Sequence, residues 1–547
     1  MGNKKFNLTK LALALGVTLS LSGCFSDNDN NIDIKPPVPE PDEQITVPKP
    51  DTPAALNFFV NTTFLDAVAN DGTLVSDVTV KFFDSEGAPS ESIANLEGEA
   101  TAEFMVTDGS VSFKLVENAD ISSVTMIASA EGYFDSSAVV DLSNTDEAIK
   151  TIVTLAKTEA LVVASDTATA DGGVLSADLT ATAADEDADA NVSVVIASGV
   201  ELRDADGEVI EETDISMSVV TAGFAENDDK VSAAAVIPQG LQEKAGNEAG
   251  ETSNPLAFVE VKVNAGDTPV KNFDPGLDIT TKIAGTFEGT ESFDVMTYDE
   301  TTGVWSKEEG KATFVSDSKD TVKFTVNHLS SFVPVETVTG CSEEVSFAFT
   351  GDAVPASGLN MRITSSALDK SKIVNSASGV LYAQGTAGAA GISSTATVNV
   401  QVSDANGNVW GTANNVALCN SSATAADIAI ELDAPVTYVD QDFSLTYTCS
   451  NTDQPNNQLA FTGALVRYNQ EGKAPLIAAE TNGTYALTGL VSGATYEVSV
   501  IPVGVDVGDA SLTVPNFTAA AGEAVSFNVG RSNCATEQQT VTGTGGS

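Results

Sequence analysis

Alternation of apolar and polar residues is the feature that most restricts the fold of this chain. It is clearest at residues 78–83, 258–263 and 397–402, where every second side chain is apolar. Successive side chains of a β-strand point to opposite faces of a sheet, so this pattern predicts half-buried strands. No segment carries a long apolar stripe at helical spacing. We therefore expect an all-β fold with little helix.

Short acidic turns separate several of the predicted strands. The pattern Asp-x-x-Gly recurs at residues 84–87, 204–207 and 404–407, with variants at 299–303 and 469–472. In such a turn the Asx side chain bonds its own backbone and the glycine adopts a positive φ. The same carboxylates could hold Ca²⁺, but they lack the ligand series and bidentate glutamate of an EF-hand loop. We interpret them as hairpin turns.

The amino terminus has the layout of a secretion signal. Lysines within residues 1–10 precede an apolar run at 11–20, which is too short to span a bilayer. Residues 21–24, Leu-Ser-Gly-Cys, resemble the lipobox of bacterial lipoproteins. The resemblance implies cleavage before Cys24 and acylation of that cysteine, with palmitate among the attached chains. Because Phe25 rather than aspartate follows, it also implies transfer to the outer membrane. The alternative is an ordinary signal peptide.

Residues 24–52 are rich in asparagine, aspartate and proline, which predicts a disordered tether between anchor and folded part. Two or more acyl chains hold a protein stably on a membrane. The acidic run at 27–29 resembles the surface-export signals of some lipoproteins. We therefore expect an outer-membrane lipoprotein at the cell surface, and the periplasmic face stays open as an alternative.

The net charge argues against several kinds of partner. The sequence has 25 Lys and Arg against 77 Asp and Glu, and losing residues 1–23 removes three lysines, which gives 22 − 77 = −55. Such a chain repels phosphate backbones and anionic head groups, so we expect no nucleic-acid partner. With 42% apolar residues it can nevertheless build sizeable cores.

Four cysteines remain once Cys24 is acylated. The separations are 78 residues for Cys341 and Cys419 and 85 for Cys449 and Cys534, each close to the length of one β-sandwich. In an oxidising envelope we expect the disulfides Cys341–Cys419 and Cys449–Cys534, out of the three possible pairings. A metal site is the rival, but no pair has the close spacing that zinc ligation requires.

Motifs divide the chain into four blocks after the tether. Residues 129–134 resemble the closing strand of carboxypeptidase-regulatory-like, transthyretin-type sandwiches. Residues 483–490 and 494–500 resemble the same family and fibronectin type III. These resemblances imply tandem antiparallel β-sandwiches of the Ig-like or transthyretin-like kind. The predicted segments are a signal peptide at 1–23, the tether at 24–52, a carboxypeptidase-regulatory-like sandwich at 53–156, a ZU5/GAIN-like sandwich at 157–338, an Ig-like sandwich at 339–433, a carboxypeptidase-regulatory or fibronectin III-like sandwich at 434–540 and a flexible tail at 541–547.

One motif could support chemistry. Gly303-x-Trp305 followed by Asn-His-Leu-Ser-Ser-Phe at 327–332 resembles the last strands of ZU5 and GAIN-type sandwiches, some of which cleave themselves. The resemblance implies His328 as the base, Ser330 as the nucleophile and Leu329–Ser330 as the cleaved bond. The cysteines that brace this region in GAIN domains are missing, so we interpret His328 as a packing residue.

We therefore expect no enzyme but a lipid-anchored, acidic structural or adhesive envelope protein: a surface-layer-like subunit, matrix component or adhesin. Its expected partners are the membrane through the anchor, copies of itself and envelope or matrix components. No cofactor is implied. Ca²⁺ or Mg²⁺ could screen the repulsion between copies, and the acidic loop with Asp185, Asp187 and Asp189 is a metal candidate, although a solvated loop is the simpler interpretation.

Two alternatives stay open at this point. One is the self-cleaving protein described above. The other is a carbohydrate- or protein-binding surface module, which for sugars generally needs exposed aromatic side chains. Only two tryptophans are present, and we expect Trp305 in a core and Trp410, just after an acidic turn, at the surface.

Overall fold

The structure is a computed structural model. It describes residues 43–48, 58–67, 72–145, 148–224, 231–241, 248–285, 287, 291–315, 319–419, 426–449, 458–503, 512, 514–531 and 536–541. Cys24, most of the predicted tether and Cys534 lie outside these residues, so the acylation and the Cys449–Cys534 pairing stay predictions. The expected all-β fold is confirmed, because the described elements are strands apart from two short helices. Within the same residues, no helix is long and apolar enough to cross a membrane.

The chain divides into two compact units, residues 1–47 with 537–547, and residues 48–536. A small sheet near the two ends of the chain pairs β1 (Glu43–Pro48) with the last strand, Thr536–Val541, so residues 43–48 of the predicted disordered tether form a strand instead. The remaining strands form four consecutive β-domains within residues 60–531.

The first sandwich (residues 60–155) has two four-stranded sheets, β4-β6-β2-β9 and β5-β3-β7-β8. Its β2–β9 pair is parallel and the others are antiparallel. Between the sheets lies an apolar core that includes Phe64, Phe82 and Phe113. Its strands are β2 (Val60–Asp66), β3 (Val78–Phe83), β4 (Ile93–Ala94), β5 (Glu103–Val106), β6 (Ser110–Leu115), β7 (Ser123–Ser129), β8 (Ser136–Asp141) and β9 (Ile149–Leu155).

The second domain (residues 158–339) is one sheet of fourteen strands, rather than the two separate sheets of the sandwich predicted at 157–338. Its pairings close into a ring, because β19 pairs with both β14 and β22. A 3₁₀ helix, Thr158–Ala160, and one short α-helix, α1 (Ala233–Val236), accompany it. Its strands are β10 (Val162–Asp171), β11 (Val174–Leu175), β12 (Leu179–Asp185), β13 (Ala190–Ile196), β14 (Glu201–Arg203), β15 (Asp214–Thr221), β16 (Glu251–Pro255), β17 (Val259–Ala265), β18 (Thr268–Pro269), β19 (Asn272–Lys282), β20 (Ser292–Asp299), β21 (Val304–Phe314), β22 (Thr321–His328) and β23 (Ser331–Thr339).

The third sandwich (residues 345–432) packs sheet β27-β24-β30 on sheet β26-β25-β28-β29. The expected Cys341–Cys419 disulfide is present, with the two Cα atoms 5.6 Å apart. Closing a loop of this length stabilises the fold by about 4 kcal/mol in the chain-entropy picture. The strands are β24 (Val345–Gly351), β25 (Leu359–Ser365), β26 (Leu368–Val374), β27 (Ser378–Tyr382), β28 (Thr397–Ser403), β29 (Val409–Ala417) and β30 (Ile428–Leu432).

The fourth sandwich (residues 438–531) packs sheet β32-β31-β36-β35, with β39 beside β31, on sheet β34-β33-β37-β38. Its core includes four tyrosines that are almost fully buried. The strands, with the last strand of the chain, are β31 (Tyr438–Cys449), β32 (Gln458–Ala460), β33 (Ala464–Asn469), β34 (Leu476–Ile477), β35 (Ala479–Thr481), β36 (Thr484–Val491), β37 (Thr495–Pro502), β38 (Phe517–Thr518), β39 (Ala524–Arg531) and β40 (Thr536–Val541).

The acidic turns fold as the sequence predicts. In the turn that begins at Asp84, the carboxylate accepts backbone hydrogen bonds of 2.9 Å from Glu86 and Ala88, and Gly87 has φ of 85°. The Asp204 and Asp404 turns repeat this arrangement. One oxygen of each aspartate is therefore engaged by its own turn, which confirms the hairpin interpretation of these residues.

The β-domains pack directly on one another. Between the first and fourth sandwiches, Arg467 is 5% exposed and donates to the Ser110 carbonyl at 3.3 Å and to Ser112 Oγ at 2.7 Å. Between the first and second domains, Phe134 and Phe258 meet edge to face at a centroid distance of 5.6 Å. Sheet faces that would meet solvent in separate sandwiches are thereby buried.

Candidate functional site

The segment proposed for self-cleavage connects two neighbouring strands of the second domain. β22 ends at His328, β23 begins at Ser331, and Leu329 and Ser330 form the connection between them. The Leu329 amide donates to the Lys271 carbonyl at 3.0 Å. The segment is therefore held by backbone hydrogen bonds to its neighbours as well as by side chains.

His328 and Ser330 each form a hydrogen bond to a third residue rather than to each other. The imidazole Nε2 lies 2.8 Å from Glu308 Oε1, and the ring packs 5.5 Å from that of Phe332. The hydrogen bond to Glu308 raises the pKa of His328, which favours the protonated ring. Ser330 Oγ donates to the Tyr298 carbonyl. The nucleophile and the base of the predicted pair are thus directed to different groups.

We predict that the mature chain stays uncut at Leu329–Ser330. The Ser330 proton points to a carbonyl oxygen, whereas attack on the preceding carbonyl would require its transfer to a base such as His328. Wild type and Ser330→Ala should both run as one full-length band on a denaturing gel after prolonged incubation.

Ser331→Ala is the matched control, because Ser331 Oγ donates to Glu300 at 2.9 Å rather than to the cleavable connection. Two wild-type fragments that meet at Leu329 and Ser330 by mass spectrometry, absent in Ser330→Ala, would contradict the prediction.

A groove of about 680 Å³ lies beside this connection. Its lining combines cationic and anionic side chains, among them Lys262, Lys271, Asp299, Glu300 and His328. The groove has room for a ligand, but its charges are mixed in sign. It therefore gives no preference for one ligand class.

Two of the three aspartates proposed as metal ligands have local partners of their own. Asp185 Oδ1 accepts from the amides of Asp187 and Ala188 at 3.0 and 3.1 Å, and Asp189 forms an ion pair with Lys282. Among the residues that the structure describes, no group of three or more His, Cys, Asp or Glu is arranged to hold a metal ion. A structural role in the turn accounts for Asp185.

Trp410 corrects one expectation. It is 4% exposed, and its indole nitrogen donates to the Tyr438 hydroxyl at 3.1 Å, which in turn donates to Asp404 Oδ2 at 2.7 Å. The prediction that Trp410 lies at the surface is wrong, because the residue faces inward on β29 and packs on Tyr438. Trp305 is buried as expected, and its nitrogen donates to the Gln239 carbonyl.

A buried carboxylate in the second domain was missed by the sequence analysis. Glu260 on β17 is 2% exposed and forms an ion pair with Lys262. Both residues line a small cavity to which the first sandwich contributes Asp135. Burial, and next the charge of Glu300, raise the pKa of Glu260 to about 7. In the sequence, Glu260 stands between two valines of an alternating strand pattern. This single glutamate among valines is the only feature of the sequence that points to a buried carboxylate there.

Comparisons with known proteins give distant structural likenesses. No family model and no curated protein matches the chain. The minor pilin GBS52 of Streptococcus agalactiae is matched at 10% identity over 37% of this chain and 100% of the pilin, with a TM-score of 0.16. Two B repeat units of the collagen-binding protein of Staphylococcus aureus are matched at 11% identity over 84% and 93% of the two chains, with a TM-score of 0.13. The Bacillus anthracis TIE protein is matched at 9% identity over 76% of this chain and 55% of that one, with a TM-score of 0.12. At such TM-scores these likenesses carry no argument about function.

Proposed function

We propose that this chain is a structural or adhesive protein of the bacterial cell surface, anchored in the outer membrane through an acylated Cys24. The observation that carries the non-catalytic part is the use of its reactive and aromatic side chains in internal contacts. His328 is held by Glu308, Ser330 by Tyr298 and Trp410 by Tyr438. What the molecule presents to partners is consequently the surface of its β-domains, which is rich in carboxylates.

Strand edges supply a means of association in this proposal. Among the residues that the structure describes, β5 pairs with β3 alone and forms the edge of its sheet, and Met105 on it is 71% exposed. An open edge with an exposed apolar side chain can pair with a strand of another chain. With a net charge near −55 after signal removal, such contacts need Ca²⁺ or Mg²⁺ to screen the repulsion between copies.

The anchor is tested by replacing its cysteine. Wild type should incorporate a palmitate analogue, sediment with outer membranes and be removed from intact cells by added protease. Cys24→Ser should remain unlabelled and leave the membrane fraction, because a signal without its lipidated cysteine provides no acyl chains. Ser26→Ala, outside the lipobox, is the matched control and should behave as wild type. A mature chain whose Cys24 is unmodified by mass spectrometry would overturn the anchoring.

The adhesive part is tested separately on the purified chain and on cells. Light scattering should show oligomers in Ca²⁺ or Mg²⁺ that dissociate with chelator, and cells with wild-type protein should aggregate or adhere more than cells that lack the protein. A monomer that ignores divalent cations, combined with unchanged adhesion, would contradict this part whatever the result for the anchor.

A further inference from the structure

A cavity of about 90 Å³, whose lining combines apolar surface with a few polar side chains, lies where the first, third and fourth sandwiches meet. Its floor is the outer face of sheet β4-β6-β2-β9, since Lys150 on β9 pairs with Asn61 on β2 in parallel register and both line the space. Its roof is the outer face of sheet β26-β25-β28-β29, where Asn360 pairs with Ser403. Pro475 and neighbouring residues of the fourth sandwich close one side.

The carboxylates on this lining are already engaged. Asp66 receives Lys157 at 2.9 Å, and Asp404 accepts from its own turn and from Tyr438. The cationic Arg362 is likewise paired, with Nε and Nη2 donating to Asp369 at 3.0 and 2.7 Å. Because these three groups are held by internal bonds, a ligand in the cavity would be bound by other side chains of the lining.

Two lining groups lack such a partner. No ion pair to Lys150 is formed by any residue in the described part of the chain, and burial lowers the pKa of this lysine. The side-chain oxygen of Asn360 is buried without a hydrogen-bond partner among the same residues. A cation and an acceptor are therefore presented to one space, together with hydroxyls such as that of Ser371. A buried polar atom such as the Asn360 oxygen normally has a hydrogen-bond partner.

We propose that this cavity is a binding site for a small hydroxylated carboxylate, whose carboxylate pairs with Lys150 and whose hydroxyl donates to Asn360. A charge-assisted bond to the partly buried Lys150 ammonium favours an anion, and the orphaned amide oxygen favours a ligand that also carries a donor. The three sandwiches each contribute to the lining, so the ligand would also join them.

The volume sets the size of the ligand. A water molecule needs roughly 10–15 Å³ of this volume, so the cavity holds about six to nine groups the size of water. That matches a short hydroxy acid and is too small for an oligosaccharide or a peptide. The proposal is independent of the adhesive function, because a purified chain can bind such a ligand without any partner.

The test uses the full chain and three probes of similar size: glycerate, glycerol and propanoate. Calorimetric titration should show saturable binding of glycerate. Glycerol, which lacks the carboxylate, and propanoate, which lacks the hydroxyls, should each bind at least about tenfold more weakly. Lys150→Met should weaken glycerate binding about tenfold or more. Lys81→Met, an exposed lysine of the same sandwich, is the matched control and should bind as wild type.

A second variant protects the test against misfolding. If Lys150→Met does not fold, Asn360→Leu takes its place, since it removes the orphaned oxygen and should lower glycerate affinity as well. Absence of saturable binding by wild type, equal binding of all three probes, or unchanged binding by a folded Lys150→Met or Asn360→Leu would each overturn the proposal.

Discussion

Arg467→Ala should destabilise the contact between the first and fourth sandwiches by about 2–4 kcal/mol. The guanidinium is almost fully buried, and it donates to the Ser110 carbonyl and Ser112 Oγ of β6. Its removal leaves these groups with fewer partners and opens a cavity at the buried position of the side chain. Scanning calorimetry should show the transition of these sandwiches lowered by several degrees.

Two variants separate the possible causes of that loss. Asp108, the carboxylate 3.2 Å from Arg467, is 61% exposed, so Asp108→Ala should cost less than about 1 kcal/mol. Arg467→Met keeps much of the volume, so it reports the loss of the hydrogen bonds and the charge without a large cavity. If Arg467→Ala unfolds at the wild-type temperature, the contact does not hold the two sandwiches together.

Local features of this fold could be predicted because their causes are local. The Asp84 turn needs only an aspartate, a glycine and the residues between them, and the strand period needs only neighbouring side chains. The Cys341–Cys419 disulfide follows from a separation typical of one domain. Each of these can be read within a short segment or from a single distance along the chain.

The packing of the sandwiches could not be predicted in the same way. Arg467 and Ser112 are 355 residues apart in the sequence, and nothing in the pattern around either residue names the other. The same applies to Trp410, whose burial depends on Tyr438, a residue of the following sandwich. Alternation assigns a residue to one face of a sheet, but it does not say whether another domain covers that face.

The sequence predicts where the residues of the candidate site lie, but not which side chains and carbonyl groups they contact. The sequence places His328 and Ser330 two residues apart at the end of a strand, which is where the structure has them. Their partners, Glu308 and Tyr298, belong to two other strands of the same ring. Because a side chain's partner decides whether it can transfer a proton, the motif alone could not decide its chemistry.

Glu260→Gln should change the pH dependence of stability at the contact between the first two β-domains. The folded pKa is raised above the usual 4.5, so the folded state binds the proton more tightly than the unfolded state does. The stabilisation by the neutral carboxyl is complete below about pH 4.5 and is lost as the pH rises to about 7. At about 1.4 kcal/mol per pKa unit, the loss is on the order of 3 kcal/mol. The glutamine of the variant stays neutral over this pH range, so the variant avoids this loss of stability.

The difference between the two proteins isolates this group from the many other carboxylates. Thermal unfolding measured from pH 4.5 to pH 8 should give Glu260→Gln a growing advantage over wild type, because only wild type must ionise a buried group as the pH rises. Glu97→Gln, at an exposed position of the first sandwich, should follow the wild-type profile. Lys262 remains near Glu300 in the variant, so the lysine keeps an anionic neighbour. A difference that stays constant with pH would mean that Glu260 ionises equally well in the folded and unfolded chain, and that its burial imposes no penalty.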